Sequence, residues 1–363
     1  MSITNYLTFA GGLGLLLYGI KLMGEGLELA AGSRLKHLLE KMTKNRFLAV
    51  LVGFLITTLI QSSSATTVMV VGFVNTGLMN LTQAIGVIMG ANIGTTTTSV
   101  LVSLNLTGIA PIAIFIGAFM ILFAKKNSLK YVGQALAGFG MLFMGMELMQ
   151  NAMDPLKDSE VFRNWIINAD NPFVGILIGA GVTGVIQSSA ASVGILQALA
   201  SQGLVPLSFA VYIIFGQNIG TCVTALLSTI GTKTNSKRTA VMHILFNVIG
   251  TVVFVVISTF LPFTKWIQAM RDNVMMQISL VHIIFNVVST IIMFPFAGAL
   301  VKLSCILVPD KKGKEDDGMH LQFIDERMLN TPPLAVVQVG KEVLRMAALA
   351  RRNFDIASSD LIN

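Results

Sequence analysis

"LIQSSSATTVMVV", Leu59–Val71, sets a glutamine, three serines and two threonines inside one of the most apolar parts of the chain. "VIQSSAASVGILQ", Val185–Gln197, does nearly the same thing again. Amides and hydroxyls in an apolar medium cost free energy unless they bond to one another or line a polar cavity. A cluster that occurs twice asks for one explanation of both.

Shifting the chain by 126 residues aligns three blocks without a gap. "GLGLLLYGIKLM" (Gly12–Met23) lies on "GFGMLFMGMELM" (Gly138–Met149). "TTLIQSSSA" (Thr57–Ala65) lies on "TGVIQSSAA" (Thr183–Ala191), and "GANIGTTTT" (Gly90–Thr98) on "GQNIGTCVT" (Gly216–Thr224). One register kept over three separate blocks marks two homologous halves.

Composition says what the halves are. Apolar residues make up 54% of the chain and charged residues 12%, about half the charge of a soluble domain. Long apolar runs such as Phe47–Ile60, Pro111–Ala124 and Thr239–Phe260 leave room for several bilayer spans of about 20 residues. The chain reads as an all-α polytopic membrane protein. Tyr6–Leu29 is expected to be a first span that stays in place, since it has no basic leader and no small-residue cleavage site. The net charge of +7 does not point to nucleic acid, because the basic residues lie in short loops where they set orientation. Cys222 and Cys305 both lie in apolar segments, with no His/Cys pair at ligand spacing.

The loops give the halves opposite senses. Ser33–Arg46 is basic, and its partner, about residues 157–171, is not. Asn105–Pro111 is uncharged, while its partner Gly231–Lys237 is basic. Basic loops are cytoplasmic, so matched loops fall on opposite sides and the repeats are inverted. Ser33–Arg46, Lys125–Lys130, Thr232–Arg238 and everything after Lys302 are placed inside. Asn105–Pro111, Asn151–Asn171 and Pro262–Asn273 are placed outside. This trace needs Phe47–Met79 and Phe173–Val205 each to enter and leave by one face. Each reads as a re-entrant helical hairpin broken at its QSS. Gly90 and Gly94 suggest a further broken helix, with its counterpart around Ile214–Cys222.

Inverted repeats with paired helix breaks describe a secondary transporter. The first N–H groups after a break, half a unit of positive dipole charge and nearby hydroxyls suit an oxyanion. Exposed carbonyls with Gln, Asn and Thr oxygens suit a hard cation such as sodium. Neither QSS block holds Arg, Lys, Asp or Glu. A bound anion is then neutralised by dipoles and by cations that enter with it, which favours sodium coupling. The plain alternative is helix packing, where small polar residues are common. Duplication of Q-S-S with a matched N-I-G-T favours a site. Asn92 and Asn218 also suit helix caps. "HILFN" (His243–Asn247) and "HIIFN" (His282–Asn286) read as interhelical hydrogen-bonding faces, with a proton relay as the alternative. Lys21 and Glu147 are matched positions, read as structural.

The chain divides at 1–126 (first repeat), 127–308 (second repeat plus an extra span), 309–330 (linker) and 331–363. The linker "PDKKGKEDDG" (Pro309–Gly318) is polar, and Thr331–Arg352 begins an amphipathic helix with Val336, Val339, Val343, Met346 and Ala350 on one face. That helix starts something the chain does not finish, so a longer natural protein is expected.

The two motif pairs resemble the signature repeats of the type II sodium–phosphate cotransporters, on the bacterial branch. The likeness runs over about residues 1–309, and Thr331–Arg352 resembles the opening of a PhoU-like cytoplasmic domain. The resemblance implies import of inorganic phosphate driven by sodium, in a bacterial inner membrane with the C-terminus cytoplasmic. It implies phosphate on Ser62, Ser63, Ser64, Ser188 and Ser189, to which Asn92 and Asn218 are added. Sodium is assigned to Gln61, Gln187, Thr66, Thr67, Ser192, Thr95 and Thr221. Ala190 stands where a full QSSS has its third serine, so the halves are unequal. No cofactor is expected beyond the coupling ions. The partners expected are phosphate, sodium and lipid, and a homo-oligomer is compatible with the sequence. Carriage of another oxyanion (sulfate or arsenate) and a membrane phosphate sensor are the alternative functions. An enzyme is not expected, because no base, nucleophile or metal cluster accompanies the polar blocks.

Overall fold

The computed structural model describes residues 2–31, 45–156, 171–310, 321, 323–324 and 332–362. The basic loop residues Arg34, Lys36, Lys41 and Lys44, the loop 157–170, most of the linker and Thr331 lie outside them.

Among the described residues the chain is helical. α1 is Ile3–Ala31, α2 Arg46–Ile60, α3 Ser63–Asn75, α4 Leu81–Ser103, α5 Ala110–Phe123 and α6 Asn127–Met153. Then come α7 Pro172–Ile186, α8 Ser189–Ser201, α9 Leu207–Gly220, α10 Cys222–Leu227 and α11 Thr234–Phe260. α12 is Phe263–Met270, α13 Val274–Met293, α14 Ala297–Leu307 and α15 Pro332–Ile362. Among the described residues six stretches are long and apolar enough to cross a membrane: α1, α4, Asn127–Leu156, Leu207–Leu227, α11 and α13. Large apolar residues are exposed on them, with Tyr18, Val252, Phe260 and Ile291 as examples. Such a surface suits lipid and not water. The chain is a multi-pass membrane protein.

The offset seen in the sequence reappears in the elements. α2 and α7 begin and end 126 residues apart, as do α3 and α8. Their internal contacts repeat as well. In the first half a methyl group on Gly90 would sit 1.9 Å from the Val50 carbonyl oxygen, and one on Gly53 would sit 2.2 Å from that of Val87. In the second half Gly216 meets Ile176 O at 2.0 Å and Gly179 meets Ile213 O at 2.0 Å, each position shifted by 126. Glycine at these points lets two backbones touch, the close approach that joins helices in lipid.

This contact corrects one expectation. α4 runs unbroken through Gly90 and Gly94 and is not unwound there. Both glycines are used for approach to α2, and the helix keeps its hydrogen bonds. In the second half the interruption between α9 and α10 is one residue, Thr221, which itself has helical dihedrals (φ −58°, ψ −27°). The expected outer loop 262–273 also contains a helix, α12, which buries Phe263 and Ile267.

α1 and α6 pack on each other reciprocally. Gly12 lies against Gly145, and Gly19 against Gly138. Gly138 is Gly12 shifted by 126, and Gly145 is Gly19 shifted likewise, so the interface is self-complementary, as in an isologous dimer. The order of contacts makes the two helices antiparallel. Lys21 pairs with Glu25 on its own helix at 3.7 Å, and Glu147 is exposed.

α11 and α13 bind the halves together. Met242 and Phe246 of α11 join the core built by α2, α3 and α4. Phe254, one face further on, joins the core of α8 and α9. There Phe215, Phe254 and Phe285 cluster with ring centroids 5.1–5.7 Å apart. At the start of α11, Arg238 is held by Val308 O at 2.9 Å and Asp310 at 3.0 Å.

Candidate functional site

The helix pairs α2/α3 and α7/α8 break at the QSS motifs by the same means. Gln61 (φ 58°, ψ 24°) and Gln187 (φ 57°, ψ 23°) take the left-handed conformation that ends α2 and α7. This is unusual for a residue with a side chain and marks a conformation imposed by the surroundings. Ser62 and Ser188 are extended and cap the next helices, each accepting from the backbone N–H three residues on, at Ala65 and Ala191. The caps satisfy those N–H groups. The N–H groups of Ser63, Ser64, Ser189 and Ala190 have no acceptor within their helices.

Both breaks open onto one cavity of about 50 Å³. It is lined by Gln61, Ser62, Ser63, Ser64, Thr95, Gln187, Ser188, Ser189 and Ala190. Two helix N-termini thus meet at one small space, each carrying about half a unit of positive charge. No lining residue is charged. Two bonds between cavity-lining residues cross between the halves. Thr95 Oγ1 and Ser189 Oγ lie 3.1 Å apart, and Ser64 Oγ donates to Gln187 O at 3.4 Å.

The structure therefore gathers the five serines, both glutamines and Thr95. It keeps the other named residues off the cavity lining. Thr66 Oγ1 accepts from Thr57 Oγ1 at 2.9 Å and donates to Ser62 O. Thr67 and Ser192 donate to Ser63 O and Ser188 O, one turn back. Thr221 donates to Gln217 O at 2.9 Å, so the Thr95 contact has no counterpart in the second half.

Asn92 and Asn218 belong to a buried network beside the cavity. Asn92 Oδ1 lies 3.3 Å from His243 Nε2, and Asn286 Nδ2 donates to Asn218 Oδ1 at 3.2 Å. Asn247 donates to Cys222 Sγ, and Cys222 reaches His243 O at 3.5 Å. Each N-I-G-T asparagine is thus met by one of the H-I-x-F-N motifs, as interhelical bonding faces do. Neither asparagine caps a helix; both lie within one.

Sequence reasoning passed over three polar residues. Thr98 Oγ1 donates to Gln61 Oε1 at 2.8 Å, and Gln61 Nε2 lies 3.5 Å from Thr97 Oγ1. Gln197 Nε2 donates to Ser99 O, Met275 O and Ser279 Oγ, tying α8 to α4 and α13. Only the register of the repeat, which pairs Thr98 with Thr224, marked Thr98 in advance.

Comparison with known proteins gives this arrangement a family. A family model described as Na+/Pi-cotransporter matches residues 15–151 and 157–299. The chain is 28% identical over 300 residues to "Uncharacterized protein YqeW" of Bacillus subtilis, covering 81% of this chain and 95% of that one. It is 27% identical over 337 residues to "Putative inorganic phosphate export protein YjbB" of Salmonella typhimurium, covering 92% of this chain and 61% of that protein. A stretch of 64 residues, 18% of this chain and 10% of the relative, is 45% identical to "Sodium-dependent phosphate transport protein 2A" of Ovis aries. No solved structure matches the chain. The match to the family model takes in both QSS breaks and both N-I-G-T motifs, and the family is one of transporters and not of enzymes. The chain belongs to the Na+/Pi-cotransporter family.

Proposed function

We propose that the chain is a sodium-coupled carrier of inorganic phosphate working by alternating access, with phosphate held between the two QSS breaks. The observation that carries this reading is the meeting of two capped helix N-termini at one uncharged cavity. Serine hydroxyls and the free N–H groups of Ser63, Ser64, Ser189 and Ala190 supply donors to an oxyanion. With no lysine or arginine there, the anion's remaining charge calls for cations that travel with it. Carbonyl and amide oxygens at the breaks, with Gln61 and Gln187, provide ligands for sodium. Thr66, Thr67, Ser192, Thr95 and Thr221 stay in the proposed sodium set, and Asn92 and Asn218 in the phosphate set. Of these seven residues only Thr95 lines the cavity here.

The reciprocal α1–α6 contact supports an inverted arrangement of the repeats at 1–126 and 127–308. A two-fold axis relating antiparallel helices lies across them, and for membrane-crossing helices that axis lies in the membrane plane. A bacterial inner membrane, with the C-terminal helix cytoplasmic, completes the reading.

Uptake of radiolabelled phosphate into proteoliposomes tests it. Accumulation is expected under an inward sodium gradient and not under an equal potassium gradient. Equal uptake in potassium refutes coupling. Full competition by sulfate refutes phosphate selectivity, and binding without accumulation marks a sensor. Export is a second reading, favoured by the printed name of the Salmonella relative. Vesicles loaded with phosphate and free of sodium on both sides decide between them: a sodium-independent exporter releases phosphate there, and a sodium-coupled carrier retains it.

A further inference from the structure

The two breaks share one backbone conformation but not one side-chain environment. Gln61 is anchored: its Oε1 accepts from Thr98 at 2.8 Å and its Nε2 donates to Thr58 O at 2.5 Å. Gln187 is exposed, and among the described residues its side chain makes no hydrogen bond. Thr98 shifted by 126 is Thr224. The Thr224 hydroxyl is shut off from solvent and has no partner. A buried hydroxyl without a partner is costly, and a native structure keeps one only where something compensates.

The arms that carry the two glutamines differ in the same sense. α2 is packed down, with Ile60 5% exposed and its carbonyl lying against Gly24 of α1. α7 packs on α9 through Gly179 but is less covered at its end: Ile186 is half-buried where Ile60 is buried, and Val185 is 84% exposed where Leu59 is half-buried. Gln150, which occupies the position of Gly24 in the second half, reaches Ser201 instead. Two copies of one unit thus hold one anchored and one released conformation. A protein with two such states populates both according to their free-energy gap.

We propose that Thr98 and Thr224 are alternating positioning residues: Thr224 takes up the Gln187 amide oxygen in the opposite state of the carrier, as Thr98 lets go of Gln61. This rests on the carrier reading above. Neither threonine touches the transported ions in this scheme. Each fixes the glutamine that closes its own break, and the exchange of the two bonds accompanies the change of access. The second anchor is the weaker. Thr97 is matched by Val223, which has no hydroxyl, while the backbone carbonyl of Thr58 has its counterpart in Gly184, so Thr224 supplies the only matched side-chain hydroxyl there. The conformation described here is accordingly the resting one.

The test uses the full chain in proteoliposomes. Thr224→Val keeps the shape and removes the hydroxyl. It is expected to slow sodium-driven phosphate uptake about tenfold, the effect of one lost hydrogen bond. Its phosphate binding in detergent is expected to stay at the parent value and its melting temperature to hold or rise, because the hydroxyl is buried and unpaired in the resting state. Thr224→Ser is expected to restore the rate. Wild-type uptake in Thr224→Val, or equal losses in the valine and serine variants, overturns the proposal. A second measurement reads the exchange directly. Ile60→Cys is buried here, so maleimide labelling above the background of Cys222 and Cys305 reports release of the first arm. Adding Thr98→Val is expected to raise that labelling about tenfold. An unchanged labelling rate also overturns the proposal. If the parent chain carries no phosphate, the carrier reading fails, and the labelling still decides for or against the anchor.

Discussion

Thr95 Oγ1 stands 3.1 Å from Ser189 Oγ, and the two residues come from different halves of the chain. Thr95 lies on α4, Ser189 at the first turn of α8, and both line the cavity between the QSS breaks. The bond holds a candidate phosphate-binding hydroxyl in place from across the pseudo-symmetric interface. Ser189→Ala and Thr95→Val are each expected to lower sodium-driven phosphate uptake by about tenfold, with the double variant little worse than either. Additive losses, near a hundredfold in the double variant, would separate the two residues functionally. Uptake rates of the four proteins in proteoliposomes give the answer.

The glycine contacts carry a stability prediction. A methyl group at Gly90 would meet the Val50 carbonyl at 1.9 Å, and one at Gly179 would meet the Ile213 carbonyl at 2.0 Å. The obstacle is backbone in both cases and cannot swing away. Gly90→Ala and Gly179→Ala are expected to cost about 1–3 kcal/mol or more, as overpacked sites do. Gly181→Ala is the control: nothing lies within 4 Å of its methyl position, and alanine favours a helix over glycine. Melting temperatures in one detergent should fall for the first two variants and hold or rise for the third.

What the sequence made legible, and what it hid, follows from the same residues. The repeat was readable because Gln61, Ser62 and Ser63 recur as Gln187, Ser188 and Ser189, where the chain must break and cap a helix within two residues. The cavity serines were readable for that reason. Gly90 and Gly94 misled, since glycine serves a helix break and a helix contact equally well in a one-dimensional pattern. Only the position of Val50 and Phe54 on the neighbouring helix tells them apart. α12 was hidden because eight residues with a lysine, preceded by Pro262 and followed by Arg271 and Asp272, look like a loop. The Thr95–Ser189 and Thr98–Gln61 bonds depend on how helices far apart in sequence are packed, which no local spacing encodes.

The left-handed glutamines predict a conflict between stability and transport. A residue with a side chain held at φ near +57° costs of order 1 kcal/mol relative to glycine. Gln187 gives nothing back in this state, since its side chain has no bonding partner among the described residues. Gln187→Gly is expected to melt higher, by up to about 1 kcal/mol in stability, and yet to transport poorly. Gln61→Gly loses its bonds to Thr98 and Thr58 and should show no such gain. A Gln187→Gly variant that transports normally would free the strain of any role in function.

The missing third serine offers the last test. Ala190 is 5% exposed and lines the cavity where the first half has Ser64. Ser64 is not idle, because its hydroxyl reaches Gln187 O at 3.4 Å, near the limit for a hydrogen bond. A bond that long is easily given up for an anion oxygen. Adding a hydroxyl at Ala190 supplies a second such donor from the other half. Ala190→Ser is therefore expected to lower the phosphate KM several-fold, the effect of about 1 kcal/mol, and Ser64→Ala to raise it by a similar factor. Sodium dependence should be unaffected in both, since neither position is among the proposed sodium ligands. A change in sodium KM with phosphate KM unmoved would reverse the division of the cavity between the two ions.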